Sequence, residues 1–139
     1  HLAERFTNGN EDPFLMYGYD QTRSFCHVDD AINGTIAAAE SPKSNGEIYH
    51  IGSSEEITIE QLIKETGKFF KYSGEYKEAP TFPGSTARRC PDISKAVKDL
   101  GYKPLYSWKE SLYMTLEWYK EFFESGSDTF ETSFEKPDV

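Results

Sequence analysis

The stretch Gly18-Tyr19-Asp20-Gln21-Thr22-Arg23-Ser24-Phe25-Cys26-His27-Val28-Asp29-Asp30 decides how the rest of this chain is organised. It begins where a short apolar run, Phe14 to Tyr17, stops at a glycine, and that run is predicted to be a strand. The stretch then presents one arginine, Arg23, in a polar turn. Asp30 is a good N-cap for the Ala31-to-Ala39 run that follows, so a helix is predicted there. A strand, an arginine-bearing loop and a capped helix place one cation where an anionic ligand can reach it.

The composition restricts the class of partner. A chain of 139 residues, 37% hydrophobic and 15% aromatic, suits one domain or one lobe with a buried core. Fifteen Lys+Arg against twenty-four Asp+Glu leave a net charge of -9, which argues against nucleic acid as a partner. No apolar run approaches the ~20 residues that a membrane span needs, so no membrane partner is expected. Cys26 and Cys90 are expected to be free thiols of a cytoplasmic protein.

The distribution of arginine points to one part of the sequence. The chain has four arginines, Arg5, Arg23, Arg88 and Arg89, and three of them fall in two short segments. An anionic ligand of so acidic a protein needs a local cationic site. The planar guanidinium fork suits phosphate better than the point charge of lysine.

Further along the chain, local signals predict a strand and two well-capped helices. The apolar residues of 47–51 predict a strand that ends at Gly52. Thr58 with Gln61, and Ser107 with Glu110, each have the three-residue spacing of a capping box at the start of a helix.

Other signals concern helix ends and the termini. Asp92 is predicted to cap a short helix that Gly101 ends. His1 to Phe6 reads as the last turns of a helix already under way, terminated by Asn8-Gly9-Asn10, which favours a truncated protein. Residues 125–139 are polar and without a period, so a mobile tail is predicted.

Three segments, taken together, resemble the second half of a known family. The first is the stretch quoted above, the second is Glu47 to Ile59, and the third is Arg88 to Ala96, running on to Leu100-Gly101-Tyr102-Lys103-Pro104. They resemble, in order and spacing, the NAD-dependent nucleotide-sugar epimerases, dehydratases and decarboxylases, which are extended short-chain dehydrogenases/reductases. The resemblance covers about residues 13 to 120.

The resemblance implies a fold and a function. The fold would be α/β: the C-terminal substrate-binding lobe of such an enzyme with a few elements of its Rossmann-like sheet, the N-terminal cofactor half being absent. Residues 1–124 would form this partial domain, with helix 30–40 and strand 47–51 packed on the cofactor sheet. The expected partners are a nucleotide diphosphate sugar, the N-terminal half that binds NAD, and a second copy in a homodimer. The parent enzyme would be an isomerase or a lyase.

The resemblance also implies which residues contact the ligand. Arg23 would contact the phosphates or the adjacent ribose, and either Arg88 or Arg89 would reach the diphosphate. Tyr17 and Gly18 match the strand end beside the sugar nucleotide. Each residue has a purely structural alternative.

In those alternatives, Arg23 pairs with Asp20 or Asp29, the two adjacent arginines are a solvated pair, and the strand end is an ordinary turn. Asp20 also stands where relatives often have a second glycine.

Two motifs that the chemistry of this family requires are missing. No two of the ten glycines are three residues apart, so no Gly-x-x-Gly-x-x-Gly turn exists to bind the NAD pyrophosphate. None of the nine tyrosines has a lysine four residues later to serve as the Tyr-x-x-x-Lys pair. No metal-ligand spacing is present, and His27 and His50 are expected to be packed residues. The chain is therefore expected to bind substrate without turning it over, or to be a non-catalytic nucleotide-binding or interaction module derived from the family.

Overall fold

The computed structural model describes residues 2–7 and 12–125, and it has mixed α/β architecture. The predicted tail, beyond Ser125, and the predicted terminator Asn8-Gly9-Asn10 lie outside the described residues. In chain order the elements are α1 (Leu2–Thr7), β1 (Phe14–Tyr17), β2 (Thr22–Ser24), α2 (Val28–Glu40), a 3₁₀ turn (Pro42–Ser44), β3 (Glu56–Thr58), α3 (Ile59–Phe69), β4 (Tyr76–Ala79), β5 (Arg88–Arg89), α4 (Ser94–Leu100) and α5 (Trp108–Glu124).

The strands form two small sheets. β1 pairs in parallel with β4, from Phe14 opposite Tyr76 to Tyr17 opposite Ala79. β2 is the central strand of the other sheet, antiparallel to β3 and parallel to β5. The two sheets are joined by the turn at Gly18, so the end of β1 is held next to the start of β2.

The main core lies between β1, α1 and α3. Phe14 and Met16 alternate with more exposed neighbours along β1, as expected for a strand with one buried face. They pack with Phe6 and Ile63, and the rings of Phe6 and Phe14 stack with centroids 4.2 Å apart. A second cluster, of Ile93, Ala96 and Tyr102, lies under α4.

The predicted helix starts at Thr58 and Ser107 are confirmed as complete capping boxes. The Gln61 backbone N–H donates to Thr58 Oγ1 at 3.0 Å, and Thr58 N–H donates to Gln61 Oε1 at 2.8 Å. Ser107 and Glu110 form the same reciprocal pair at the start of α5. The sequence could predict these two helix starts because both partners of each capping box lie within one helical turn.

The predicted N-cap of α2 is wrong. The helix begins at Val28 and its cap is His27, whose Nδ1 accepts from the Asp29 backbone N–H at 3.2 Å. Asp30 lies inside the first turn and is only 1% exposed. Its two carboxylate oxygens accept from the backbone N–H groups of Leu105 and Tyr106, at 2.9 and 3.2 Å. Asp30 therefore joins α2 to the segment before α5, which a local reading of the sequence could not show.

Two strand predictions also need correction. Residues 47–51 are not assigned as a strand, because no strand among the described residues pairs with them. Conversely, Arg23 lies in strand β2 and not in a loop.

Apolar side chains on α2 and beside it remain exposed, at 49% for Ile32, 48% for Ile36 and 80% for Ile48. Among the described residues no helix has the length and apolar character to cross a membrane.

Glu65 connects α3 to α5 and carries a testable pH dependence. Its carboxylate accepts from Lys68 Nζ at 3.0 Å and from the Tyr113 hydroxyl at 3.1 Å, and Lys109 Nζ lies 3.2 Å away. The hydrogen bond from Lys68, and then those from Lys109 and Tyr113, lower the pKa of Glu65. Because the folded-state pKa is lowered, the stabilisation is present above the unfolded-state value of about 4.3 and is lost as the pH falls below it.

We therefore expect Glu65→Gln to lower stability at pH 7, and we expect its difference from wild type to shrink below about pH 4. Urea unfolding midpoints at the two pH values measure this difference. Glu60→Gln, in the exposed Glu60–Lys64 pair of the same helix, is the control and should change little at either pH. A difference for Glu65→Gln that does not depend on pH would contradict the assignment.

Candidate functional site

Two of the predicted ligand arginines lie side by side. In the β2–β5 ladder Arg23 is opposite Arg89, and in the β2–β3 ladder it is opposite Ile57. Side chains at opposite positions of neighbouring strands share a face of the sheet, and the next residue along points to the other face. Arg23 and Arg89 therefore share one face, whereas Arg88 belongs to the other.

The structure separates Arg88 from Arg89 by their partners. Arg88 forms a bidentate pair with Glu56: Nε donates to Oε1 at 2.9 Å, and Nη2 donates to Oε2 at 2.8 Å. The hydrogen bonds from Arg88, and then from the Thr22 hydroxyl, lower the pKa of Glu56. No carboxylate of the described residues lies within salt-bridge distance of Arg89. Arg89 is thus the better candidate for an anionic ligand, because the charge of Arg88 is already compensated.

Arg23 is held by neutral acceptors. Its Nη1 donates to the Thr22 carbonyl at 2.7 Å and to the Ala87 carbonyl at 3.5 Å, and its Nη2 donates to Gln21 Oε1 at 2.9 Å. Within the described part of the chain, neither of the aspartates considered as alternative partners forms an ion pair with it. No carboxylate of the described residues therefore compensates the charge of Arg23.

The other two predicted residues, Tyr17 and Gly18, lie at the end of β1. Tyr17 is 41% exposed, and its ring stacks on Phe82 with centroids 5.2 Å apart. Gly18 has φ +63, and a Cβ there would lie 2.9 Å from Gln21 Oε1 and 3.2 Å from Thr81 Oγ1. A glycine is required for both its backbone conformation and this close approach.

The site contains residues that the sequence did not indicate. Gln21, Thr81, Phe82 and Ser85 contact the predicted residues or one another, and three of them come from the segment before β5. No local signal could have found Thr81, Phe82 and Ser85, because their contacts join residues about sixty positions apart. Gln21 lies two positions from Arg23, but its other two contacts are equally distant in sequence. Beside β5 an open depression of about 720 Å³, a volume within the usual range of ligand sites, is lined by Ser24, Tyr49, His50, Ile51, Arg88, Arg89, Cys90 and Pro91.

The tight approach at Gly18 can be tested against a matched glycine. Gly46 also has a positive φ, +75, but nothing lies within 4 Å of its Cβ position. Gly46→Ala should lower the free energy of unfolding by about 1 kcal/mol, from backbone strain alone. Gly18→Ala should destabilise more, because Gln21 and Thr81 must also move. Thermal unfolding of both variants measures the difference, and equal effects would mean that the contact around Gly18 is loose.

Comparison with known proteins gives the site its context. Residues 1–52 match the model of the NAD dependent epimerase/dehydratase family. Over this segment the chain is similar to that family. It is 33% identical over 117 residues to UDP-N-acetyl-alpha-D-glucosaminuronate decarboxylase of Bacillus cytotoxicus, an alignment that covers 79% of this chain and 36% of that protein.

Solved epimerase structures share the fold. UDP-glucose 4-epimerase of Thermotoga maritima, solved with UDP-glucose, superposes with a TM-score of 0.77 at 26% identity, over 88% of this chain and 38% of that one. UDP-glucuronic acid 4-epimerase of Bacillus cereus, solved in complex with UDP-glucuronic acid and NAD, superposes with a TM-score of 0.74 at 29% identity. That match covers 87% of this chain and 38% of the epimerase chain. The chain spans little more than a third of the length of these epimerase/dehydratase relatives, so it corresponds to part of their domain.

The turn at Gly18 does not fit the pyrophosphate of NAD. The chain lacks the glycine-rich motif. In addition, the side chains of Gln21 and Thr81 occupy the space next to Gly18, in the turn beside the arginines. That turn also leads into strand β2 and not into a helix whose N-terminus could receive a pyrophosphate.

Proposed function

We propose that this chain supplies the nucleotide-sugar-binding part of an NAD-dependent epimerase, dehydratase or decarboxylase and is not catalytic alone. The observation that carries the proposal is the pair Arg23 and Arg89, on one face of the sheet and without a carboxylate partner among the described residues. Two uncompensated guanidinium groups are suited to a diphosphate. Each charge-assisted contact contributes on the order of 1.5–3 kcal/mol.

The remaining parts of the reaction are assigned to other elements. We propose that NAD and the proton-transfer groups belong to the N-terminal half of the family fold. That half, and a second subunit in a homodimer, would be the protein partners of this chain in the cytoplasm. Two observations support this division: the alignments cover little more than a third of each relative, and a related epimerase structure holds both NAD and UDP-glucuronic acid.

A second candidate is a non-catalytic nucleotide-binding or interaction module. It is favoured by the missing glycine-rich and Tyr-x-x-x-Lys motifs and by the exposed side chains of Ile32, Ile36 and Ile48. The two candidates differ in whether the chain supports turnover when the N-terminal half of a relative is supplied.

Calorimetric titration with UDP-, dTDP- and GDP-sugars, with and without NAD, tests the proposal. One nucleotide sugar should bind without NAD, and Arg23→Ala should weaken it about tenfold or more, a loss of ~1.4 kcal/mol or more. Arg89→Ala should act in the same direction. Arg88→Ala is the matched control, since Glu56 already compensates that arginine.

Two results would count against the proposal. A folded wild-type chain that binds none of these sugars would favour the interaction module. An equal loss in all three arginine variants would show that only net charge matters and that the shared face of Arg23 and Arg89 has no role.

A further inference from the structure

Gln21 is a buried polar residue whose side-chain amide forms hydrogen bonds through both its nitrogen and its oxygen. It lies in the turn between β1 and β2 and is 8% exposed. Its Nε2 donates to Thr81 Oγ1 at 2.7 Å. Its Oε1 accepts from Ser85 Oγ at 2.9 Å and from Arg23 Nη2 at 2.9 Å. One amide thus contacts the arginine of the site and two residues of the segment before β5.

The chemistry of this contact differs from that of the neighbouring arginine. Arg88 is oriented by the carboxylate of Glu56, which also cancels its charge. Arg23 is oriented by an amide oxygen, which accepts a hydrogen bond and carries no net charge. An ordered guanidinium that keeps its charge is what binding of a phosphate requires, because the cost of ordering a flexible side chain is met before the ligand arrives.

An amide makes these three contacts without adding charge. A carboxylate could contact Thr81 only by accepting from its hydroxyl, and it would compensate the charge of Arg23; an apolar side chain of similar length has no acceptor for Arg23 or Ser85. The backbone of Gln21 is held as well: its N–H donates to the Gly18 carbonyl at 3.0 Å, and its carbonyl accepts from Ile59 at 2.9 Å. These backbone hydrogen bonds fix the position of Gln21 at the junction of the two sheets, and with it the position of its side-chain amide.

We infer that Gln21 is a positioning residue, which holds the guanidinium of Arg23 ready for the ligand diphosphate and couples it to the segment of Thr81 and Ser85. The inference rests on the proposed function of the arginine pair and identifies a residue that acts through Arg23 without contacting the ligand.

The test compares charge with orientation at position 21. Wild type, Gln21→Glu and Gln21→Met are titrated with UDP-glucose, or with dTDP-glucose or GDP-mannose if wild type binds one of those more tightly, at low and at raised ionic strength. Gln21→Glu should weaken binding about tenfold or more and flatten the salt dependence, because the new carboxylate neutralises Arg23. Gln21→Met should weaken binding less and keep the wild-type salt dependence, since the charge remains and only its orientation is lost. If Gln21 had only a structural role, both variants would weaken binding and neither would differ from the other in its salt dependence.

Gln61→Glu is the matched control. It adds the same charge at an exposed helix start where glutamate also completes a capping box, so its binding should stay within about twofold of wild type. Urea unfolding shows that each variant is folded, and Gln21→Met, similar in size to the wild-type residue, decides the question if Gln21→Glu does not fold. Wild-type affinity and salt dependence in both Gln21 variants, with Arg23→Ala still impaired, would overturn the inference alone. A wild-type chain that binds no nucleotide sugar would remove the proposed function, and this inference with it.

Discussion

Phe14→Ala is expected to lower the free energy of unfolding by about 3–5 kcal/mol, the range found when a buried phenylalanine is truncated. Phe14 has no exposed surface and stacks on Phe6, and the Arg5 guanidinium lies 4.0 Å from its ring centroid. Its removal leaves a cavity between β1, α1 and α3 that the surrounding side chains cannot fill. Since β1 ends at Tyr17 and Gly18, the site should lose its order together with the core.

The measurement is the urea midpoint of unfolding, and Phe82→Ala is the matched control. Phe82 undergoes the same chemical change but is 66% exposed, so its truncation should cost less than about 1 kcal/mol. Equal midpoints for the two variants would mean that the packing around Phe14 does not form in solution.

Asp30→Ala is expected to destabilise the chain by about 2–4 kcal/mol, because two charge-assisted hydrogen bonds are lost together. The carboxylate holds the backbone N–H groups of Leu105 and Tyr106, seventy-five positions along the chain. Without it, these groups lose their acceptor and the start of α5 is no longer tied to α2. Asp30→Asn retains one acceptor oxygen and should give an intermediate effect.

Asp29→Ala separates this contact from a general helix effect. Asp29 is in the same first turn of α2, but its side chain is 54% exposed. If Asp30 acted only as a favourable charge at a helix start, both variants would cost the same, about 0.3–1 kcal/mol. Thermal unfolding of the three variants, with helix content followed by circular dichroism, gives the comparison.

The predictions that the structure confirms are those with short-range causes. The strand Phe14–Tyr17, both capping boxes and the helix end at Gly101 depend on residues within a few positions of one another. The residues of 47–51 have the composition of a strand, but a strand also needs a partner, and none of the described residues provides one. Composition alone could not reveal that difference.

The sequence by itself determined the helix boundaries that local hydrogen bonds set, the family resemblance, and the candidates Arg23, Arg88 and Arg89. Only the tertiary structure decided which arginine pairs with Glu56, that Asp30 binds the segment before α5, and that Gln21 holds Arg23. The physical reason is that a cap finds its partner within one helical turn. The orientation of the site arginines, in contrast, depends on contacts between distant segments: Glu56 is 32 positions from Arg88, and the Thr81 and Ser85 side chains that hold Gln21 are 60 and 64 positions from it.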